Sequence, residues 1–410
     1  MSRRTGIFYS VFTVINPIFI QIGFMIYVAH KVDRVHYGYF VLIQTVISGF
    51  SALLLTIPAA AFTRFYNKPG KRDRFLNEFR TLNFGISILA IVLSLLIWIS
   101  GFTGFSFSEA MIIGITSSLA FSFSLKKTSV FLEVERRKTF IISVIEKVSR
   151  FIFPIILYII FQSSMSLMLG LVLGLIILNI MTTPYCRFPK YQFSISKVRQ
   201  ALYFRYAWPL LFVALFSWVV SFSDRYFIDQ FLTKNEVGEY SILAQFSGFM
   251  LIFGSVYTIY VNPILYKLFG SSKSLGYALF YKSIFALVLM LVCLFVLYLC
   301  LPSPIIAVFI SPELMSKAGY KTVLDILVAS ALVSVLVTAF SLKYTLSKRL
   351  DVLATGWLLA ASANLIGNFL IRDYGIIAAA YSTLMANVTV ILALLIYEAH
   401  QKFLTKPINS

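Results

Sequence analysis

The sequence predicts an all-α polytopic membrane protein: twelve transmembrane helices in two parallel-repeat six-helix lobes around a central cavity. Three observations carry that reading. Hydrophobic residues make up 59% of the 410 residues, and mean hydropathy is +0.87. Twelve apolar stretches each reach about 20 residues, which at 1.5 Å per residue crosses a hydrocarbon core of roughly 30 Å. Basic residues fall almost entirely into every second gap between those stretches.

The expected spans lie near 7–29, 37–62, 82–101, 105–125, 139–161, 165–184, 207–232, 237–262, 279–301, 322–342, 352–371 and 375–397. The first is too long for a signal-peptide core and lacks a cleavage site, so it reads as a retained helix. Of 35 Lys and Arg, 26 sit at the termini and in the even-numbered gaps, such as Arg64, Lys126, Lys127, Arg199 and Lys343. Six occupy the odd-numbered gaps, and Lys147, Arg150 and Arg225 lie inside spans. The positive-inside bias then places both termini in the cytoplasm.

A formal charge of +19 would suggest nucleic acid in a soluble domain. Here it sits in short loops facing anionic lipid heads, and no segment has room for a nucleic-acid-binding module. Cys186, Cys293 and Cys300 lack metal-ligand spacing, and Cys293 and Cys300 lie seven apart on one helix, so all three read as small packing residues. His30 and His36 read as incidental loop residues, and His400 carries no signal. No metal or cofactor is expected. Nothing pairs a nucleophile with a base, and no gap holds an external catalytic domain, so the chain does not read as an enzyme.

Residues 1–184 form the expected N-terminal lobe, 185–206 a cytoplasmic linker with a short surface helix near Ile195–Leu202, and 207–410 the C-terminal lobe with a short cytoplasmic tail. The lobes show an internal repeat at an offset near 200. Gly38-Tyr39-Phe40-Val41-Leu42-Ile43-Gln44 parallels Gly238 and Tyr240-Ser241-Ile242-Leu243-Ala244-Gln245. Thr56-Ile57 and Pro58 parallel Thr258-Ile259 and Pro263, and Pro17 parallels Pro209. Six spans per half give both halves the same orientation. The external gap 302–321, with Pro302, Pro304 and Pro312, reads as a short hairpin or re-entrant piece.

Charge inside the membrane is costly and points to a cavity or a partner. Ser143, Glu146, Lys147, Arg150 and Pro154 share one face of the fifth span. Glu146 and Arg150 satisfy each other at i,i+4, which leaves Lys147 in surplus. Two readings stand: a structural ion pair with a snorkelling lysine, or a basic cavity wall for an anionic head group. In the seventh span Ser217, Ser221, Asp224 and Arg225 share an arc. They form either a local pair at the external rim, or an external gate with a proton-sensitive carboxylate. Asn364 and Asn368 in the eleventh span lie among Ala360, Ala361, Ala363 and Gly367, where packing is favoured over substrate contact. Gln44, Ser48 and Ser51, with Gln245 at the matching place, fit pore lining or interhelical bonding.

Two segments carry a family resemblance. Asp224-Arg225-Tyr226-Phe227-Ile228 with Val237-Gly238-Glu239-Tyr240-Ser241 resembles the junction of spans 7 and 8 in polysaccharide flippases. Asn364-Leu365-Ile366-Gly367-Asn368-Phe369-Leu370-Ile371 followed by Tyr374-Gly375-Ile376-Ile377-Ala378-Ala379-Ala380-Tyr381-Ser382-Thr383 resembles their span 11 to 12 turn. Arg372-Asp373 departs from that turn, which is often apolar with a proline. The chain thus resembles the polysaccharide transporter branch of the multidrug/oligosaccharidyl-lipid/polysaccharide exporter superfamily, which includes O-antigen and capsule repeat-unit flippases. The first half fits mainly by hydropathy.

That resemblance implies a bacterial inner-membrane flippase that moves undecaprenyl-pyrophosphate-linked oligosaccharides to the periplasmic leaflet by alternating access, with no chemical step. Under it Lys147 and Arg150 counter the pyrophosphate, with Arg225 nearer the outer side. Trp218 and Trp357 become candidates for stacking on sugars, and Asn364, Asn368, Gln44 and Gln245 candidate cavity residues. Glu146 and Asp224 are the candidates for coupling to protons or sodium. The implied partners are the lipid-linked oligosaccharide, the phospholipid bilayer, a polysaccharide polymerase and a chain-length regulator. The alternative is an ion-coupled multidrug exporter of the same superfamily, for which a carboxylate-dominated cavity is expected.

Overall fold

A computed structural model describes residues 18–66, 72–101, 104–133, 135–186 and 188–404. Arg3, Arg4, Pro17, Lys68, Lys71, Arg187 and Lys406, which entered the charge and repeat patterns, lie outside the described residues, as does the start of the first span. Among the described residues the chain is helical with no strand.

The long helices are α1 (Ile18–Lys31), α2 (Arg34–Phe65), α3 (Arg72–Ser100), α4 (Phe107–Leu132), α5 (Arg136–Phe161) and α6 (Ser164–Thr182). They continue with α7 (Lys197–Phe231), α8 (Lys234–Phe269), α9 (Lys273–Leu299), α10 (Tyr320–Leu346), α11 (Leu350–Asn368) and α12 (Ile376–Leu404). Ten are long and apolar enough to cross a membrane. The other two are α1, described only from Ile18, and α5, whose charges set it apart although its 26 residues reach about 39 Å. The chain is a multi-pass membrane protein.

Several helices outrun the apolar stretches, and they do so at their basic ends. α3 starts at Arg72 rather than near 82, α4 ends at Leu132 rather than near 125, and α7 starts at Lys197 rather than near 207. Hydropathy registers only the hydrocarbon-length segment, whereas the backbone ladder continues into water as long as no breaker intervenes. The separate surface helix expected near Ile195–Leu202 therefore does not form. Residues 188–196 carry no regular secondary structure, and Lys197 opens a single 35-residue helix that absorbs Pro209.

At the opposite ends the turns are tight and capped. Asp33 accepts from the Val35 and His36 amides to start α2. Ser106 with Glu109, Ser163 with Ser166 and Thr233 with Glu236 form capping boxes that start α4, α6 and α8. Asp33 and Thr233 occupy equivalent places in the two halves. The second helix of each half also loses regularity midway: α2 through a π-helical stretch at Ser51–Leu55, α8 through a 3-10 turn at Gly248–Met250. These matched irregularities sit at the offset of the sequence repeat.

The chain divides into two compact units, Met1–Leu215 and Phe216–Ser410. In the first, α5 and α6 form a hairpin whose turn is only Gln162 and Ser163, with Gln162 left-handed (φ 45°). Gly170 and Gly174 let the backbones close. A Cβ on Gly170 would lie 2.7 Å from the Phe153 carbonyl oxygen, and one on Gly174 would overlap the Ser149 carbonyl. Gly174→Leu is accordingly expected to cost about 1–3 kcal/mol through overpacking, read as a lower unfolding temperature in detergent. Unchanged stability would contradict this close approach.

In the second unit α12 packs along α10 and α11. Gly367 fits against Ser382, where a Cβ would come within 2.7 Å of the serine Cβ. The gap between α9 and α10 folds as two short helices, Ser303–Ile310 and Pro312–Ser316, which bury Ile306, Ile310 and Leu314. The short helical pieces begin at or beside Pro302, Pro304 and Pro312.

Candidate functional site

The charges of α5 are organised around one carboxylate. Glu146, its side chain only 12% exposed, takes a 2.6 Å ion pair from Lys127 of α4 and a 3.5 Å one from Arg150 one turn further along α5. The i,i+4 pair expected from spacing is present. Lys127 was counted with the loop charges, and the reach of a lysine from the neighbouring helix has no signature in sequence spacing. Arg150 Nε is buried and makes no hydrogen bond among the described residues.

Lys147 is half-buried and has no carboxylate within ion-pair distance among the described residues. Its ammonium donates to Gln21 Oε1 of α1 at 3.3 Å and lies 5.3 Å from the centre of the Phe151 ring. Phe151 is held in turn by Phe24 at 4.8 Å. Lys127, Lys147 and Arg150 thus oppose Glu146 alone, leaving two net positive charges on adjoining membrane-embedded helices. A chemistry that needs an anion beside these helices would find its counter-charge here.

At the other end of α5, Tyr158 accepts from the Asp33 amide at 3.0 Å and lies 3.3 Å from His36 Nδ1. His36 is therefore part of the joint between α5 and the α1–α2 turn. Gln44 is half-buried on α2, while the Ser48 and Ser51 hydroxyls donate to their own helix, at Thr45 and Ile47.

In the second unit Asp224 is 2% exposed and multiply bonded. It accepts from the Tyr240 hydroxyl at 2.7 Å, from the Arg225 amide at 2.8 Å and from the Arg225 guanidinium at 3.2 Å. Arg225 also donates to the Ser221 carbonyl at 2.8 Å and stacks over Phe222. Tyr240 belongs to α8, so the pair expected within α7 is a clamp between two helices. Burial alongside a neutral phenol and a single guanidinium makes this carboxylate sensitive to the loss of either partner.

Beneath that clamp a closed amide–hydroxyl network joins α7, α11 and α12. Ser223 donates to Asn364 at 2.8 Å, Asn368 donates to Ser223 at 3.0 Å and to Asn364 at 3.2 Å, and Ser382 donates to Asn368 at 2.5 Å. Asn364 and Asn368 are both 0% exposed, and these bonds serve helix packing. Trp218, Trp357 and Gln245 are half-buried.

Glu239 belongs to the segment that resembles the span 7 to 8 junction, and its partners come from elsewhere in the chain. Only 3% exposed, it holds Lys317 at 2.5 Å, Asn235 at 3.0 Å and the Tyr320 hydroxyl, fastening α8 to the start of α10 and the segment before it. The sequence signal is the motif Val237-Gly238-Glu239-Tyr240-Ser241 itself, which does not name the partners Lys317 and Tyr320. The three cysteines are free, and burial pushes the Cys186 thiol above its ordinary value.

No protein-family model matches the chain, and no curated protein matches it by sequence. Its fold is nevertheless shared with solved transporters. It is similar to the lipid II flippase MurJ in an inward closed conformation, with a TM-score of 0.70 and 17% identity over 96% of this chain and 87% of that one. It is also similar to an inward-facing multidrug resistance MATE family transporter of the MOP superfamily, at 0.67 and 10% identity over 95% of each chain. A MATE transporter of Vibrio cholerae follows at 0.59 and 14%, over 97% of this chain and 96% of that one. The fold common to MurJ and the MATE transporters is the fold of this chain.

Proposed function

We propose that this protein is a flippase that carries undecaprenyl-pyrophosphate-linked oligosaccharide repeat units from the cytoplasmic to the periplasmic leaflet of a bacterial inner membrane, for O-antigen, capsule or exopolysaccharide biosynthesis. The observation that carries the reading is the group of three cations, Lys127, Lys147 and Arg150, around the single carboxylate of Glu146. A lysine at membrane depth costs about 2.5–3.5 kcal/mol on insertion scales. A diphosphate recovers that cost, and a cationic drug does not.

In this reading the diphosphate meets Lys147 and Arg150, the sugars occupy a polar path, and the polyprenyl chain stays in lipid. The fold shared with the lipid II flippase MurJ supports a lipid-linked substrate, and the fold shared with the MATE transporters supports alternating access. The polymerase and chain-length regulator of the same pathway are its expected partners. Asp224, held by Tyr240 and Arg225, is the carboxylate proposed to couple transport to an ion gradient.

The test is purified protein in liposomes with a fluorescent polyprenyl-diphosphate oligosaccharide in one leaflet. Transbilayer movement well above protein-free vesicles is expected. Movement of cationic drugs instead, with the lipid-linked sugar left in place, would assign the chain to the multidrug exporters.

A further inference from the structure

A second basic site lies apart from the α4–α5 cluster, in a cleft of about 670 Å³ between α3, α4, the end of α6 and the irregular segment 188–196. Arg80 and Lys126 line it together with Asn83, Ser122 and Thr183. All of these residues belong to the first unit.

The two cations differ from their neighbours in what they bond. Nearby, Arg72 pairs with Glu133, Arg199 with Glu78 and Lys127 with Glu146. Arg80 and Lys126 have no carboxylate among the described residues. Arg80 donates to the Pro189 carbonyl at 2.7 Å and lies beside the Phe188 and Tyr191 rings, at 5.6 and 5.1 Å from their centres. The Lys126 ammonium donates to the Asn179 carbonyl at 2.8 Å, to Thr183 Oγ1 at 2.9 Å and to Asn179 Oδ1 at 3.3 Å. Each cation is oriented by neutral acceptors, its charge uncompensated, beside a space large enough for a head group.

The surroundings specify a lipid-borne anion. Arg80 is about 12 Å along α3 from Arg72, the basic end of the helix. One turn deeper on the same helix Phe84 is 61% exposed and lines the cleft, and Ile88 continues the exposed apolar strip. Charge at head-group level above apolar surface at acyl-chain level is the profile of a phospholipid. Basic pockets between transmembrane helices at this level hold anionic head groups. We infer that the Arg80–Lys126 cleft binds the phosphate of an anionic phospholipid resident in the leaflet on the basic side, with an acyl chain along Phe84 and Ile88.

Such a lipid abuts the segment 188–196, which is tied to α3 by Arg80, by Asn77 accepting from the Gln192 amide at 3.3 Å and by Thr81 accepting from the Ser194 amide at 3.3 Å. The bound phosphate screens the repulsion between the two cations that line the cleft. The inference does not depend on the transported substrate.

Native mass spectrometry of the full chain, purified with phosphatidylglycerol or cardiolipin and then with phosphatidylcholine, reads the site directly. Retained anionic lipid is expected to fall about tenfold in affinity in the Arg80→Gln, Lys126→Gln double variant and to persist in Arg80→Lys, Lys126→Arg. It is also expected to persist in Lys147→Gln. Equal retention in the double-Gln variant, or loss on replacing Lys147 alone, overturns the assignment. Displacement of the lipid signal by excess inorganic phosphate alone would identify a site for free phosphate, and overturns it too. A second measurement avoids the charge variants. Phe84→Trp places a reporter on an exposed position, and its fluorescence should be quenched several-fold more by phosphatidylglycerol with brominated chains than by the matching phosphatidylcholine. Equal quenching by the two lipids refutes selective binding.

Discussion

Replacing Lys147 and Arg150 together by Gln is expected to slow transbilayer movement of a polyprenyl-diphosphate-linked oligosaccharide by about 10²-fold or more. Each charge-assisted hydrogen bond to a phosphate contributes roughly 1.5–3 kcal/mol, and tenfold in rate or affinity corresponds to about 1.4 kcal/mol. The protein itself should still fold. Glu146 keeps its 2.6 Å pair with Lys127, and a glutamine at 147 can still meet Gln21. Lys127→Gln is the informative control, because it removes the cross-helix partner that Glu146 has among the described residues and should depress stability before it depresses transport. A double variant that flips at the wild-type rate would remove the basis for a diphosphate substrate.

Asp224→Ala is the substitution expected to cost most in stability, about 3–5 kcal/mol, because it leaves the buried Tyr240 phenol without its acceptor and the half-buried Arg225 guanidinium without its carboxylate. The readout is the unfolding temperature in detergent, and a shift within error would mean that the clamp is not needed. Asp224→Asn separates structure from coupling. The amide can retain the Tyr240 hydroxyl as a donor, so the protein should remain folded, while a carboxylate that titrates during transport is gone. Transport that still responds to an imposed pH gradient in the Asn variant would exclude Asp224 as the coupling group.

The spans were legible in the sequence because length and apolar content are what a bilayer selects, and even the charged α5 could be placed by them. Helix ends were less legible. Lys197 to Ala207 forms helix although it is polar enough to look like linker, since continuing an existing ladder needs no apolar face. Intrahelical chemistry was also legible: Glu146 with Arg150 follows from a spacing of four. Partners from other helices were not. Lys127 on Glu146, Tyr240 on Asp224 and Lys317 on Glu239 depend on which helices touch, and nothing in the spacing of a single chain encodes that. Asn364 and Asn368 illustrate the intermediate case. Small neighbours announced a close interface, but only the packed helices bring Ser223 and Ser382 to their amides.

The charges of α5 also bear on how this chain is made. Arg136, Arg137, Lys138, Glu146, Lys147 and Arg150 all fall within residues 136–150 of a 26-residue helix that must cross the bilayer. Near the membrane centre each such residue opposes partition by about 2.5–3.5 kcal/mol, so a nascent α5 emerging from the ribosome is a poor substrate for the translocon by itself. α6 follows after two turn residues and carries no charged side chain, and Gly170 and Gly174 present a ready surface to the α5 backbone. Biogenesis therefore favours entry of α5 and α6 as one folded hairpin, with the later helix drawing the earlier one out of the aqueous channel.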